Sequence, residues 1–125
     1  MPQKTKKYIL IVDDKIENVN LLIAICKKFG YNYRAAESGE ESIKIVNTYK
    51  DIGLVLMDVK MTGIDGIEAM KTIKEKYMVP IIAVTGLASD NDKNKFIKLG
   101  FDDYISKPID IPLLVKKIKA FLDTH

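Results

Sequence analysis

The chain has 125 residues, with 47% apolar and 30% charged side chains. That suffices for one domain burying roughly two thirds of its unfolded surface without disulfides, and it excludes a disordered segment. The net charge of +3, from 20 basic and 17 acidic groups, is too mild to require nucleic acid or a membrane surface.

Met1, Pro2, Gln3 and Lys4 lead almost at once into an apolar run without the pattern of a secretory signal, so none is expected. The apolar runs at 8–12, 54–57 and 79–84 are far too short to cross a bilayer. They are rich in Ile, Val and Leu and lack the alternation of a one-sided sheet, so they predict strands buried on both faces. Weaker strands are predicted at 31–36 and 102–105. The intervening segments have helical spacing. Ile16, Val19, Leu22, Ile23 and Cys26 mark the first helix, with Gly30 as its stop. Ser38 and Glu41 form a capping-box pattern before Ile43, Val46 and Tyr49. Ile67, Met70, Ile73 and Tyr77 mark a third helix halted before Pro80. Phe96 and Leu99 precede Gly100 in a fourth, and Leu114, Val115, Ile118 and Phe121 lie in a fifth. Strand and helix alternate five times, which predicts an α/β fold with a parallel sheet, right-handed crossovers and helices on both faces. The lone cysteine, Cys26, reads as a buried core residue, so the expectation is a single domain over 1–125 in a reducing, cytoplasmic setting.

In such a fold, ligands gather at the carboxyl ends of the strands. There the first strand stops at Asp13 and Asp14, the third at Asp58, the fourth at Thr85, and the fifth leads to Lys107. One strand-end Asp means little, because Asp is a common turn former. Five polar residues from four strands at one mouth are harder to explain by turn chemistry. Three neighbouring carboxylates repel one another unless cations are present. Lys107 supplies one, and a hard divalent ion with oxygen ligands, Mg2+ above all, suits the rest. A carboxylate so placed can act as nucleophile on phosphorus, the ammonium of Lys107 and the hydroxyl of Thr85 stabilising the transferring group. Rival chemistries lack their residues. The only histidine is His125, which excludes a His-based triad or His-ligated zinc. Nucleotide-loop and dinucleotide fingerprints are absent, as is any interleaving of basic and aromatic residues suited to nucleic acid.

The segments Ile9-Leu10-Ile11-Val12-Asp13-Asp14, Leu56-Met57-Asp58, Val84-Thr85 and Asp102-Asp103-Tyr104-Ile105-Ser106-Lys107-Pro108 together resemble the response-regulator receiver family of two-component and phosphorelay signalling. The likeness covers nearly the whole chain in order and spacing. It implies a flavodoxin-like, five-stranded parallel sheet of order 2-1-3-4-5. It implies a phosphoryl acceptor at Asp58, supplied by a sensor histidine kinase or a histidine phosphotransfer domain, in a signalling domain that catalyses only its own phosphorylation and dephosphorylation. By the same resemblance Asp14 and Asp58 bind Mg2+ directly, Asp13 acts largely through water, and the backbone carbonyl of Lys60 completes the protein ligands. Thr85 and Lys107 contact the phosphoryl oxygens. Tyr104 matches an aromatic switch that turns inward as Thr85 moves, so that a downstream protein reads the surface of the fourth helix, fifth strand and fifth helix. The run from Gly100 to Pro108 looks especially like receivers of hybrid histidine kinases. Neither nucleic acid nor membrane is an expected direct partner.

Some neighbours depart from the family pattern. Met61 is followed by Thr62 where proline is common, and Gly63 and Gly66 keep that loop adaptable. Thr85 is followed by Gly86 where alanine is common. Lys60 beside the acceptor and Leu87 beyond Thr85 are expected to control access of water to the aspartyl phosphate, and so its lifetime. Two rivals stand beside the switch: a phosphatase with an aspartate nucleophile, and a scaffold that is never phosphorylated. The phosphatase would want a second acid in an Asp-x-Asp arrangement, whereas Asp58 is followed by Val59 and Lys60.

Overall fold

In the computed structural model, which describes residues 7–61, 63–86 and 90–122 (side chains of 90–92 excepted), the apolar runs are strands and the amphipathic segments between them are helices. In chain order these are β1 (Tyr8–Val12), α1 (Ile16–Lys28), β2 (Asn32–Ala36), α2 (Gly39–Thr48), β3 (Ile52–Asp58), α3 (Gly66–Lys76), β4 (Ile81–Thr85), α4 (Asp90–Leu99), β5 (Asp103–Ser106) and α5 (Ile111–Leu122). The strands pair in parallel in the order β2-β1-β3-β4-β5, as the family resemblance implies. Among the described residues no helix is long and apolar enough to cross a membrane.

The pleat divides the core into two layers. Ile9 and Ile11 of β1, Leu54 and Leu56 of β3, and Ile82 and Val84 of β4 pack with Leu22 and Ile25 of α1 and with Leu114 and Ile118 of α5. The alternate residues Leu10, Val12, Val55, Met57, Ile81 and Ala83 pack with Val46 of α2, Met70 and Ile73 of α3, and Phe96 of α4. Each large side chain so enclosed stabilises the fold by about 1.5–3 kcal/mol relative to exposure. Because the central strands feed both layers, they carry apolar runs on both faces up to the polar residues at their carboxyl ends.

The helix ends follow local chemistry, with two departures from expectation. The Ser38 hydroxyl accepts from the Glu41 N–H at 3.0 Å, as the capping box predicts, but the Glu41 carboxylate accepts from the Glu37 N–H (2.7 Å). The box therefore closes one residue before the cap and ties the incoming chain to α2. In α1, Ile16 is 58% exposed while Ile25 is only 4% exposed, so the buried stripe is Val19, Leu22, Ile25 and Cys26. Gly30 ends α1 with φ +79°, where glycine is favoured. Cys26 is buried as expected, and desolvation pushes its thiol up to about 11, leaving it protonated and unreactive at neutral pH.

Candidate functional site

The chain leaves β1 for β2 on one side and returns to β3 on the other, so the sheet's switch point lies between the carboxyl ends of β1 and β3. Ladder-like backbone bonds continue past the strand ends and hold the site residues in line. The Asp13 N–H donates to the Ala36 carbonyl (3.1 Å), Val59 to Val84 (3.2 Å), and Lys107 to Thr85 (2.8 Å). Lys107 and Pro108 are joined by a cis peptide bond.

At this mouth Asp13, Asp58 and Thr85 are buried, whereas Asp14 is exposed. Asp13 has its carboxylate divided between two partners. Its Oδ1 accepts from the Lys15 N–H at 2.9 Å, and its Oδ2 lies 3.3 Å from the Lys107 Nζ. The same ammonium lies 3.3 Å from Asp58 Oδ1, so one cation bridges the ends of β1 and β3. The carboxylates of Asp13, Asp14 and Asp58 each offer an oxygen within 4.8 Å of the others.

Burial lifts the Asp58 carboxyl to about 6, and the Asp13 charge adds to that. Lys107 opposes the rise, and Asp14 contributes to it. Asp58 thus bears the crowding of three carboxylates that one ammonium does not offset. Hard oxygen donors on two adjacent strand ends, one bearing a raised carboxyl, fit a small divalent cation: its charge would relieve the repulsion that burial imposes.

Asp13, Asp14, Asp58 and Lys107 are therefore brought together, with Thr85 at the end of β4 in register with Ser106. Lys60 lies two residues past Asp58 with its side chain exposed. Tyr104 is half-buried in β5, its ring stacked on Phe96 of α4 with centroids 6.2 Å apart and planes at 27°. Gly86 is exposed, and a Cβ there would meet nothing within 4 Å. Thr62 and Leu87 lie outside the described residues, as does His125. Two contacts escaped the sequence reading. One is the Asx-type turn from Asp13 to Lys15, which an Asp-Asp-Lys run at a strand end signals. The other is the Phe96–Tyr104 stack, which joins residues on two elements and has no local signature.

A doubly wound sheet with three carboxylates and a bridging ammonium at its switch point defines an α/β domain built around an acidic mouth. The family model for the response regulator receiver domain matches residues 9–119, and the chain belongs to that family. It is accordingly a receiver domain of two-component signalling. Solved structures agree. A chain of the co-crystal of the Saccharomyces cerevisiae histidine phosphotransfer signalling protein Ypd1 with the receiver domain of its downstream response regulator Ssk1 is 29% identical. It matches with a TM-score of 0.85 over 96% of this chain and 91% of that one. A two-component response regulator from Clostridium difficile is 27% identical, with a TM-score of 0.87 over 95% and 98%. A chain of the CheX–CheY complex with BeF3 and Mg2+ from Borrelia burgdorferi is 26% identical, with a TM-score of 0.83 over 91% and 87%.

Proposed function

We propose that this receiver domain takes a phosphoryl group onto Asp58 from a phosphohistidine donor, in a Mg2+-dependent reaction, and switches its surface for a partner. The observation that carries the reading is the Lys107 ammonium held 3.3 Å from both Asp13 and Asp58, beside three converging carboxylates. In the step proposed, an Asp58 oxygen bonds to phosphorus, the donor's P–N bond breaks, and the freed imidazole keeps the electron pair and takes up a proton. Asp13, Asp14, Asp58 and the Lys60 carbonyl would hold the ion, which when bound supplies charge compensation for the phosphoryl oxygens. Lys107 and the Thr85 hydroxyl would face the same oxygens, as fixed charge and donor. Tyr104 would carry the signal: leaving its stack on Phe96 alters the contact between β5 and α4. The face of α4, β5 and α5 is then the surface a downstream protein reads.

On this reading residues 1–125 form one receiver domain in a cytoplasmic setting, a switch and not a turnover enzyme. Its donor is a sensor histidine kinase or a histidine phosphotransfer domain, as in the Ypd1 co-crystal, and a place in a hybrid kinase is compatible with it. Incubation with a small phosphodonor and Mg2+, followed by intact-mass analysis, tests the proposal. One lasting phosphoryl adduct, lost in Asp58→Asn, is expected. Turnover without an adduct would point to a phosphatase, and no reaction to a binding scaffold; either overturns the reading.

A further inference from the structure

The loop between β3 and α3 begins with the acceptor's own peptide, and two helices press onto its backbone through glycines. Gly66, the first residue of α3, donates its N–H to the Val59 carbonyl at 2.9 Å. A Cβ at Gly66 would run into the Asp58 carbonyl oxygen, and would stand 2.9 Å from both the Asp58 carbonyl carbon and Val59 Cα. Gly39, the first residue of α2, makes a similar approach at the other end of the loop. A Cβ there would stand 2.6 Å from the Ile64 carbonyl oxygen and 3.2 Å from Ala69 Cβ. Neither glycine has a positive φ, so space and not backbone conformation excludes a side chain. Helix propensity alone would favour alanine at both positions.

The obstacle in each case is backbone, which cannot rotate aside as a long side chain can. Gly53 near the start of β3 is crowded as well, but away from the mouth. A Cβ there would meet Lys7 and Leu122 side-chain atoms at the opposite end of the same strand.

We propose that Gly66 and Gly39 are positioning residues of the acidic mouth: they let α3 and α2 seat directly on the backbone at the two ends of loop 59–65. Their contact sets where the Asp58 carboxylate and the Lys60 carbonyl stand. This rests on the proposed function, because it concerns the ligands of the same ion. Mg2+ demands near-ideal octahedral geometry, so a displacement too small to unfold the domain still weakens its site. A methyl at Gly66 must shift either α3 or the Asp58–Val59 peptide. A methyl at Gly39 acts through Ile64, farther along the loop, and acts more weakly.

The test compares the parent protein with Gly66→Ala, Gly39→Ala and Gly53→Ala. Titration calorimetry gives the Mg2+ affinity, and backbone amide NMR of the metal-free protein gives the position of the loop. Gly66→Ala is expected to weaken Mg2+ binding by roughly tenfold or more, on the scale at which an ångström of misplacement is felt. It should also move the Asp58 and Val59 amide resonances without metal. Gly39→Ala should weaken binding less, and Gly53→Ala should leave affinity unchanged although it too crowds the fold. A folded Gly66→Ala that binds Mg2+ like the parent overturns the proposal. So does a Gly53→Ala that loses as much affinity. Should Gly66→Ala not fold, Gly39→Ala decides on the same comparison. If the parent itself binds no Mg2+, the proposed function falls, whereas the metal-free amide shifts still decide the glycine clamp.

Discussion

Neutralising Asp58 is expected to stabilise the metal-free domain at neutral pH. Burial and the Asp13 charge raise its carboxyl from 3.8 to about 6. A group whose folded-state pKa lies above its unfolded value binds its proton more readily in the fold. Its stabilising contribution is complete below the unfolded value, and is lost as pH rises from about 4 through about 6. At pH 7.5 the loss amounts to about 3 kcal/mol at most, and at pH 4.5 to about a third of that. Asp58→Asn keeps the shape and removes the charge, but of the two carboxylates that Lys107 bridges it leaves only Asp13 charged. The expected gain in chelator is therefore about 1–3 kcal/mol at pH 7.5, shrinking toward pH 4.5. Urea denaturation followed by circular dichroism measures it. Mg2+ at 100 times its Kd stabilises the parent by about 2.7 kcal/mol, so saturating ion should close the gap. An Asp58→Asn protein less stable than its parent in chelator at pH 7.5 would refute the electrostatic reasoning. So would a gain that does not depend on pH.

Lys107→Met removes the ammonium between Asp13 and Asp58; phosphoryl acceptance from a small donor should slow by roughly 10²–10³-fold, and carboxyl NMR should place Asp58 above its present value of about 6. Arg34 binds both oxygens of Asp51, at 3.2 and 2.7 Å, between the rings of Tyr8 and Tyr49 with centroids 4.3 and 3.7 Å away. Arg34→Ala should lower stability by about 1–3 kcal/mol in denaturant titration, with Mg2+ affinity unchanged because the cluster lies away from the mouth. Arg34→Lys should recover little, since an ammonium cannot reproduce the planar fork. Ser38→Ala removes the cap on α2 and should lower stability by about 1 kcal/mol, read the same way.

The central strands were legible because burial on both faces demands consecutive apolar residues, a pattern that β1 shows from Ile9 to Val12 and β4 from Ile81 to Val84. β3 was read too short: Gly53 and the half-buried Ile52 precede its continuous apolar stretch, and pairing with β1 extends it to Ile52–Asp58. The polar residues of the mouth were legible for a related reason, since each stands where an apolar run stops. Which carboxylates share Lys107 was not, because residues 94 and 49 positions away meet only through the strand order. The α1 stripe was mistaken by part of a turn, as Ile16 and Ile25 both satisfy a period near 3.6 and only the docking angle on the sheet decides between them. Arg34 and Asp51 had no signature at all. Their pairing depends on the register that sets Leu10 against Arg34 in β2 and on the entry to β3.

Charge explains why an event at Asp58 should be felt at β4 and β5. One ammonium bridges Asp13 and Asp58 beside the third carboxylate, Asp14, and on the proposed reading a divalent ion adds positive charge to the cluster. On the proposed reading, phosphorylation exchanges one carboxylate charge for a group carrying about two. The mouth then holds an excess negative charge in a buried setting, where each additional donor is worth more than it would be in water. Asp13 and Asp58 already share Lys107, and Asp13 spends its other oxygen on the Lys15 N–H. On the same reading Thr85, buried at the end of β4 with its carbonyl bonded to the Lys107 N–H, would turn its hydroxyl to that group. A shift of Thr85 would be carried to β5 by that backbone bond and by the Ala83–Tyr104 register, and Tyr104 rests on Phe96 of α4. On the proposed reading, the path from acceptor to output face would run along one bonded strand pair and one aromatic stack. Phe96→Ala should accordingly leave phosphorylation of Asp58 intact while uncoupling it from the response of the α4–β5–α5 face. Amide NMR of both forms would reveal this, and an unchanged response of α4 on phosphorylation would refute the route.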